Sequence, residues 1–354
     1  THNQMMDAYV QSVDNWNHYL DQLRKEYPHY YKMRYASIFR SIQQVQPDLP
    51  KQVTFVRYFF VDTVLMALVM DQQEKHMFEL ETTSLEKNIG SLYQPGTDQK
   101  KTADILYKLY QQLWAPISKN ILHKKVIIIP DGILHNLSFE VLTSQKISSF
   151  SEIATKSLLS KHSISYRYSL FLLEQKSSST DLNKTFVAFA PGFSDRMKND
   201  YRFTLRDTSD QDKVYLSLLP QPFTISLANR MQEQLHGNSF IYDRSTLSAF
   251  KEHAGMHKII HIGTHAESNN LHPEFSRVIF AKDTLQKGEN NSLYLFDIYN
   301  CELTSNLTVL TACETGKPGY QDGEGMISLA HAFNYAGSES IITGLWKIDE
   351  QASA

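Results

Sequence analysis

Two residues that follow predicted strands, His265 and Cys313, form the pair in this sequence most capable of chemistry. At neutral pH a thiol is mostly protonated, and a neighbouring imidazole can remove that proton or stabilise the thiolate as an ion pair. Such a thiolate attacks carbonyl carbon atoms, and backbone N–H groups nearby stabilise the oxyanion that forms. The amides of Ala266 and Cys313 are the candidates for this second role. The pattern indicates acyl chemistry with Cys313 as nucleophile and His265 as general base.

Other chemistries fit the sequence less well. His261 and His265 lie four residues apart, which on a strand is about 13 Å, too far to share one zinc ion with bonds of about 2 Å. Gly316-Lys317 is followed by Pro318 where a phosphate-binding loop needs Ser or Thr. Cys301 has no special surroundings and is interpreted as structural. The sequence therefore predicts no metal site, no nucleotide site and no cofactor.

Composition restricts the class of protein further. The 354 residues are 42% hydrophobic and 21% charged, which predicts a folded chain with a sizeable core. The formal net charge of −3 argues against nucleic acid or an anionic membrane as a direct partner. Two cysteines exclude a disulfide framework and favour a reducing, cytoplasmic location. No apolar run is long enough to span a bilayer and no signal peptide is recognisable. The absence of an initiator Met predicts a piece of a longer protein.

Two predicted strands position the pair. Ile259–Ile262 ends just before His265, and Leu307–Leu310 ends just before Cys313. From Lys125 onward strands alternate with helices, which is typical of a largely parallel sheet. Because the carboxyl ends of parallel strands share one edge, the two side chains are expected at equivalent heights.

The first part of the chain has a different pattern. Apolar spacing predicts helices over residues 5–46, and three strands with short connections predict an antiparallel region. These observations predict a helical and β-rich region over residues 1–120 and an α/β core over residues 121–354. Further predicted elements are strands Thr54–Val61, Thr63–Val69 and His76–Leu80, helices Asp98–Trp114 and Glu324–Tyr335, and a loop Arg196–Lys213.

Several motifs, in order along the chain, resemble the CHAT domain, a family of caspase-like peptidases related to separase. In caspases the catalytic histidine lies about 50 residues before the cysteine. The 48 residues between His265 and Cys313 are similar to this spacing. The matching strings are Ile129–Leu134 (IPDGIL), His261–Ala266 (HIGTHA), Thr311–Gly316 (TACETG), Gly323–Gly325 (GEG) and Gly344–Trp346 (GLW).

The resemblance implies a caspase/haemoglobinase fold, with a mostly parallel sheet flanked by helices, and a Cys313–His265 dyad. It also implies hydrolysis of peptide bonds in a protein substrate, with no cofactor. Members of the family are often attached to helical repeats that sense a regulatory partner. Roles in antiviral defence and cell death occur among relatives of this kind, including bacterial ones.

Many relatives cleave after a basic residue that acidic groups hold. The match to the family's tryptophan turn implies Asp349 or Glu350 for this role, and Asp131 is a third candidate. Each has a plainer alternative, since carboxylates favour a helix N-terminus and aspartate favours turns. Ala266 departs from the glycine of many relatives, and its methyl group is expected to narrow access to the oxyanion site.

Two other functions remain open. A chain of this fold can serve as a catalytically silent scaffold, and a thiol acyltransferase would share the dyad. The family continues into a helix where this sequence reaches Ala354, so the resemblance predicts that the domain extends further.

Overall fold

The chain forms two compact units, Thr1–Lys176 and Ser177–Ala354. The computed structural model describes residues 2–26, 31, 41–92, 98–168, 170, 184–205, 209–269, 272–282, 290–312, 319–321, 325–345 and 350–353. The predicted division at residues 120 and 121 therefore differs from the division into compact units. The physical reason is that two strands after residue 121, Lys125–Ile129 and Ser163–Tyr166, belong to the sheet of the first unit.

The first unit is built on a mixed five-stranded sheet in the order β3-β2-β1-β4-β5. Its first three strands are antiparallel neighbours, as predicted, whereas β4 runs parallel to both β1 and β5. Residues on both faces of β1 are buried, so both faces of the sheet are covered at this strand. The strands are β1 Val53–Val61, β2 Val64–Met70, β3 Lys75–Leu80, β4 Lys125–Ile129 and β5 Ser163–Tyr166.

Helices cover this sheet. The most regular, Gln99–Leu113, begins where the Asp98 side chain accepts the amide of Lys101 and buries the apolar positions of one face against the strands. Residues 27–30 and 32–40, which belong to the region of predicted helices over residues 5–46, lie outside the described residues. The helices of this unit are α1 His2–Glu26, α2 Ile42–Val45, α3 Leu85–Leu92, α4 Gln99–Leu113 and α5 Ile153–Lys156.

The second unit contains the predicted parallel sheet, in the order β15-β12-β8-β6-β7 with every pair parallel. This confirms the α/β fold class. A three-stranded antiparallel sheet, β11-β10-β9, follows the central strand in the chain. The strands are β6 Lys184–Ala190, β7 Asn238–Ile241, β8 His257–Ile262, β9 Ala266–Glu267, β10 Arg277–Ile279, β11 Ser292–Tyr294, β12 Leu307–Leu310, β13 Gly319–Gln321, β14 Gly325–Ile327 and β15 Ser340–Thr343.

Helices lie on both faces of the parallel sheet. Alternate residues of β6 show the division, since Phe186 packs with one helix and Phe189 packs in the aromatic core on the opposite face. The helices of this unit are α6 Asp195–Thr204, α7 Asp210–Ser217, α8 Pro222–Leu235, α9 Leu247–His253, α10 Leu295–Tyr299, α11 Leu329–Tyr335 and α12 Glu350–Ser353.

Two predictions for this unit are wrong. The predicted loop Arg196–Lys213 contains most of α6 and part of α7, because Ser194 and Ser209 cap these helices and a few aromatic side chains suffice to anchor them. The predicted helix Glu324–Tyr335 begins only at Leu329. Ser328 accepts the amide of His331 as its N-cap, and Gly325–Ile327 pairs as a strand with Gly319–Gln321.

The core beside β8 is aromatic. The ring of Phe189 stacks on Phe240 at 5.4 Å and meets Phe250 edge-on at 5.3 Å between ring centroids. Phe280 and Phe333 extend this cluster. Each fully buried ring contributes about 1.5–3 kcal/mol through the hydrophobic effect. The cluster therefore fixes the sheet that carries the candidate site.

Candidate functional site

His265 lies three residues after the end of β8, in a backbone that is held at several points. The amide of Gly263 donates to the carbonyl of Phe189 at 2.9 Å. The buried hydroxyl of Thr264 donates to the carbonyl of Ile279. The amide of Ile279 in turn donates to the carbonyl of His265 at 3.0 Å. These contacts leave the backbone of His265 little freedom.

Strand β12 ends beside β8, at the same edge of the sheet as the end of β8. In the register of the two strands Leu310 lies opposite Ile262, and the amide of Thr311 donates to the carbonyl of Ile262 at 3.1 Å. Ala312 is buried. Cys313 lies outside the described residues, but in sequence it follows Leu310 by the same three residues that separate His265 from Ile262.

The imidazole of His265 is fixed on one side by a backbone carbonyl. Its Nε2 atom lies 2.8 Å from the carbonyl oxygen of Leu219, and its ring centroid lies 5.2 Å from that of Phe193. A carbonyl oxygen can only accept a hydrogen bond, so Nε2 carries the proton. The lone pair of the neutral ring is therefore on Nδ1, which is the atom left to accept a proton.

The amide of Ala266 has a defined direction. Ala266 lies opposite Val278 in the antiparallel pair of β9 and β10, and the next pair, His265 with Ile279, is hydrogen-bonded. Hydrogen-bonded and non-hydrogen-bonded pairs alternate along such a ladder, so the N–H of Ala266 points away from β10. Its methyl group packs against the aromatic core.

A second histidine, His261, lies on β8 in different surroundings. It is almost fully buried, and its Nε2 atom lies 2.9 Å from the hydroxyl of Thr311. Burial lowers the pKa of His261 to about 4. The ring is therefore neutral at physiological pH, and it joins β8 to the segment that leads from β12 toward Cys313.

This burial predicts an acid-sensitive contribution to stability. The unfolded chain binds a proton at His261 near pH 6.5, whereas the folded chain binds it only near pH 4, so stability falls as pH drops through that window. A shift of this size corresponds to about 3 kcal/mol. We expect His261→Gln to lose less stability between pH 6.5 and pH 4 than the parent in urea denaturation.

The exposed His272, which pairs with Glu274, provides the control for this titration. His272→Gln is expected to keep the parental dependence on pH. An unchanged slope in His261→Gln would show that His261 does not titrate as its burial requires.

The three acidic candidates for substrate binding lie in separate contexts. Asp131 belongs to the first unit, where its two carboxylate oxygens accept the amides of Phe60 and Gly132 at 2.9 and 3.0 Å. Glu350 accepts the amide of Thr224 at 2.7 Å, in the first turn of α8. Asp349 lies outside the described residues. The observed contacts of Asp131 and Glu350 are with backbone amides, as expected for turn and helix-terminus residues.

Sequence reasoning missed the groups that hold the imidazole of His265. The partner of His265 is a main-chain carbonyl, and any residue type can supply one. Phe193 follows the apolar strand β6 and is fully buried, with a backbone φ of 44°. Only the Pro191-Gly192 turn before it gave a signal in the sequence.

Within the part of the chain that the structure describes, no group of three or more potential ligands could hold a metal ion. No helix among these residues is long and apolar enough to cross a membrane.

The family model of the CHAT domain matches residues 103–354, which is well over half of the chain. The chain belongs to the CHAT domain family. Its parallel sheet with helices on both faces agrees with the caspase-like fold of that family. This CHAT domain therefore has a caspase-like, protease-related fold. A comparison with curated proteins gave no match.

Proposed function

We propose that this CHAT domain is a cysteine endopeptidase in which Cys313 attacks the peptide carbonyl and His265 handles the proton. The observation that carries the proposal is the register of β8 and β12. Ile262 and Leu310 are paired at the carboxyl ends of the two strands, and in the sequence each is followed three positions later by one of the two reactive residues.

The geometry of His265 supports its role as general base. Since Nε2 donates to the carbonyl of Leu219, Nδ1 accepts the proton of the Cys313 thiol and later delivers it to the leaving amine. Water then hydrolyses the acyl-enzyme. The amide of Ala266, which points away from β10, and the amide of Cys313 bind the oxyanion.

Specificity for a basic residue before the cleaved bond is a further part of the proposal. Asp349 and Glu350, which belong to the same unit as His265, are the candidates for binding it. We further propose that the substrate is a protein and that a regulatory protein partner controls the activity. The resemblance to the family supports both.

The proposal predicts selective labelling by an electrophilic peptide with arginine at the position of cleavage. We expect Cys313 to be labelled and Cys313→Ala to show no specific labelling, as measured by mass spectrometry of the intact protein. Cys301 is the internal control, because burial raises the pKa of its thiol and its Sγ atom lies 3.5 Å from the carbonyl oxygen of Asp297. Cys301→Ala should be labelled like the parent.

Equal labelling of Cys301 and Cys313 would contradict an activated dyad. Absence of labelling in the full-length protein with its regulatory partner would favour the scaffold. Labelling without hydrolysis of any peptide would favour the acyltransferase.

A further inference from the structure

The segment between β6 and α8 contains both groups that hold the imidazole of His265. Phe193 lies at its beginning and supplies the adjacent ring, and Leu219 lies near its end and supplies the carbonyl. Helices α6 and α7 lie between them. The position of the Leu219 carbonyl therefore depends on what holds these helices in place.

Asp212, on α7, is the polar centre of the segment. Its Oδ1 accepts the hydroxyl of Tyr201 on α6 at 2.7 Å. Its Oδ2 accepts the hydroxyl and the amide of Ser209 at 2.6 and 3.0 Å. The side chain is largely buried, and its carboxylate lies 3.6 Å from the Nζ atom of Lys282. One carboxylate thus joins α6, the start of α7 and the chain beyond β10.

The charge of Asp212 is well compensated. Burial by itself would raise the pKa of Asp212, but hydrogen bonds from Ser209 and Tyr201, with the charge of Lys282, outweigh it and lower the pKa to about 2. The group is therefore ionised at neutral pH. A largely buried pair of this kind is costly to break from one side, because the remaining charge loses its partner.

The contact with Lys282 fastens the segment to the strand that holds the backbone of His265. The amide of Lys282 donates to the hydroxyl of Tyr215 at 3.3 Å. Tyr215 and Phe193 pack with Ile279, the residue whose amide donates to the carbonyl of His265. The segment between β6 and α8 thus holds the side chain of His265, and strand β10 holds its backbone. The ion pair of Asp212 and Lys282 joins this segment to the chain after β10.

A second cation acts at the end of the segment. The Nζ atom of Lys198 on α6 donates to the carbonyl of Leu218 at 3.0 Å, one residue before the carbonyl that accepts from His265. This hydrogen bond fixes the backbone next to Leu219 relative to α6.

We propose that Asp212 is a positioning residue, which through Lys282 and the helices α6 and α7 keeps the Leu219 carbonyl on Nε2 of His265 and so leaves Nδ1 as the proton acceptor. This inference rests on the proposed peptidase function, but it makes a separate claim about the imidazole. It predicts that Asp212 determines which nitrogen carries the proton, although Asp212 does not touch the ring.

The decisive variant is Asp212→Asn, compared with Asp200→Asn as the matched control. Asp200 is on α6 and is exposed, and its Oδ2 atom lies 3.8 Å from the Nε atom of Arg196. The ¹⁵N chemical shifts of the His265 ring report the proton position directly. We expect the parent and Asp200→Asn to show a protonated Nε2, and Asp212→Asn to show a mixture of both neutral forms.

The rate of Cys313 labelling provides the second measurement. A displaced base reacts much more slowly, and we expect a fall of about tenfold or more in Asp212→Asn. Asp212→Glu keeps the charge and should recover part of the rate. Lys198→Met leaves Asp212 intact and should lower the rate as well, so a failure of Asp212→Asn to fold would not leave the question open.

The outcomes separate the two claims. A parental ring spectrum and parental labelling in folded Asp212→Asn and Lys198→Met would overturn the positioning role and leave the peptidase proposal standing. A change in the ring spectrum of Asp212→Asn, with Cys313 inert in the parent, would support positioning and contradict the peptidase proposal.

Discussion

His265→Ala is expected to lower the rate at which Cys313 reacts with an electrophilic peptide by about 10- to 100-fold at neutral pH. The thiolate is the reactive form, and a free cysteine thiol, with a pKa of about 8.5, is only a few per cent ionised at pH 7. Loss of the imidazole should return the thiol of Cys313 to this behaviour. The labelling rate of the variant should therefore keep rising with pH through that value, whereas the rate of the parent should level off at lower pH.

Second-order rate constants for labelling, measured from pH 5 to pH 10, test this prediction. His272→Ala is the control, since His272 is exposed and contacts Glu274 and Phe275. It should react like the parent at every pH. If His265→Ala reacts as fast as the parent, His265 is not the base.

Gly337→Ala is expected to destabilise the second unit strongly. Gly337 follows the end of α11 with a φ of 115°, and a Cβ atom at this position would lie 1.8 Å from the carbonyl oxygen of Leu303. Leu303 cannot easily move, because its amide donates to the carbonyl of Ala336 at 2.7 Å. Backbone strain costs about 1–3 kcal/mol and overpacking costs a similar amount, so the loss should be about 3 kcal/mol or more.

Gly90→Ala is the matched substitution with the opposite expectation. Gly90 lies in α3, and its added Cβ would meet no atom within 4 Å. Alanine is favoured over glycine inside a helix, so stability should rise by about 0.5–1 kcal/mol. Urea denaturation followed by circular dichroism measures both changes, and hydrogen exchange assigns them to a unit. Equal stability of the two variants would contradict the close approach at Leu303.

The strands that carry the site could be predicted from the sequence. Ile259–Ile262 and Leu307–Leu310 are apolar runs, and both lie within strands of the structure. Their position at one edge followed from the alternation of strands and helices. Their register could not be predicted, because the sequence of one strand does not show which residue of a distant parallel partner lies opposite it.

Two kinds of feature were beyond the sequence. The strands β9 and β10 have two and three residues, too few to show a period, yet they direct the amide of Ala266. The helices α6 and α7 are rich in charge, and Tyr201 and Tyr215 anchor them by packing with Phe193 and Ile279. Tertiary contacts override local pattern in such segments.

The order of strands in the second unit also bears on how the chain reaches its fold. The central strand β8 is bordered by β6 and β12, and long stretches of sequence separate each from it. Closing such loops costs entropy before the pairing rewards it, so folding of this unit should be slow for its size. During synthesis one edge of β8 stays unpaired until β12 has been made. Until β12, the strand that precedes the candidate nucleophile, has been made, the nascent chain therefore presents an unpaired strand edge at which aggregation can begin.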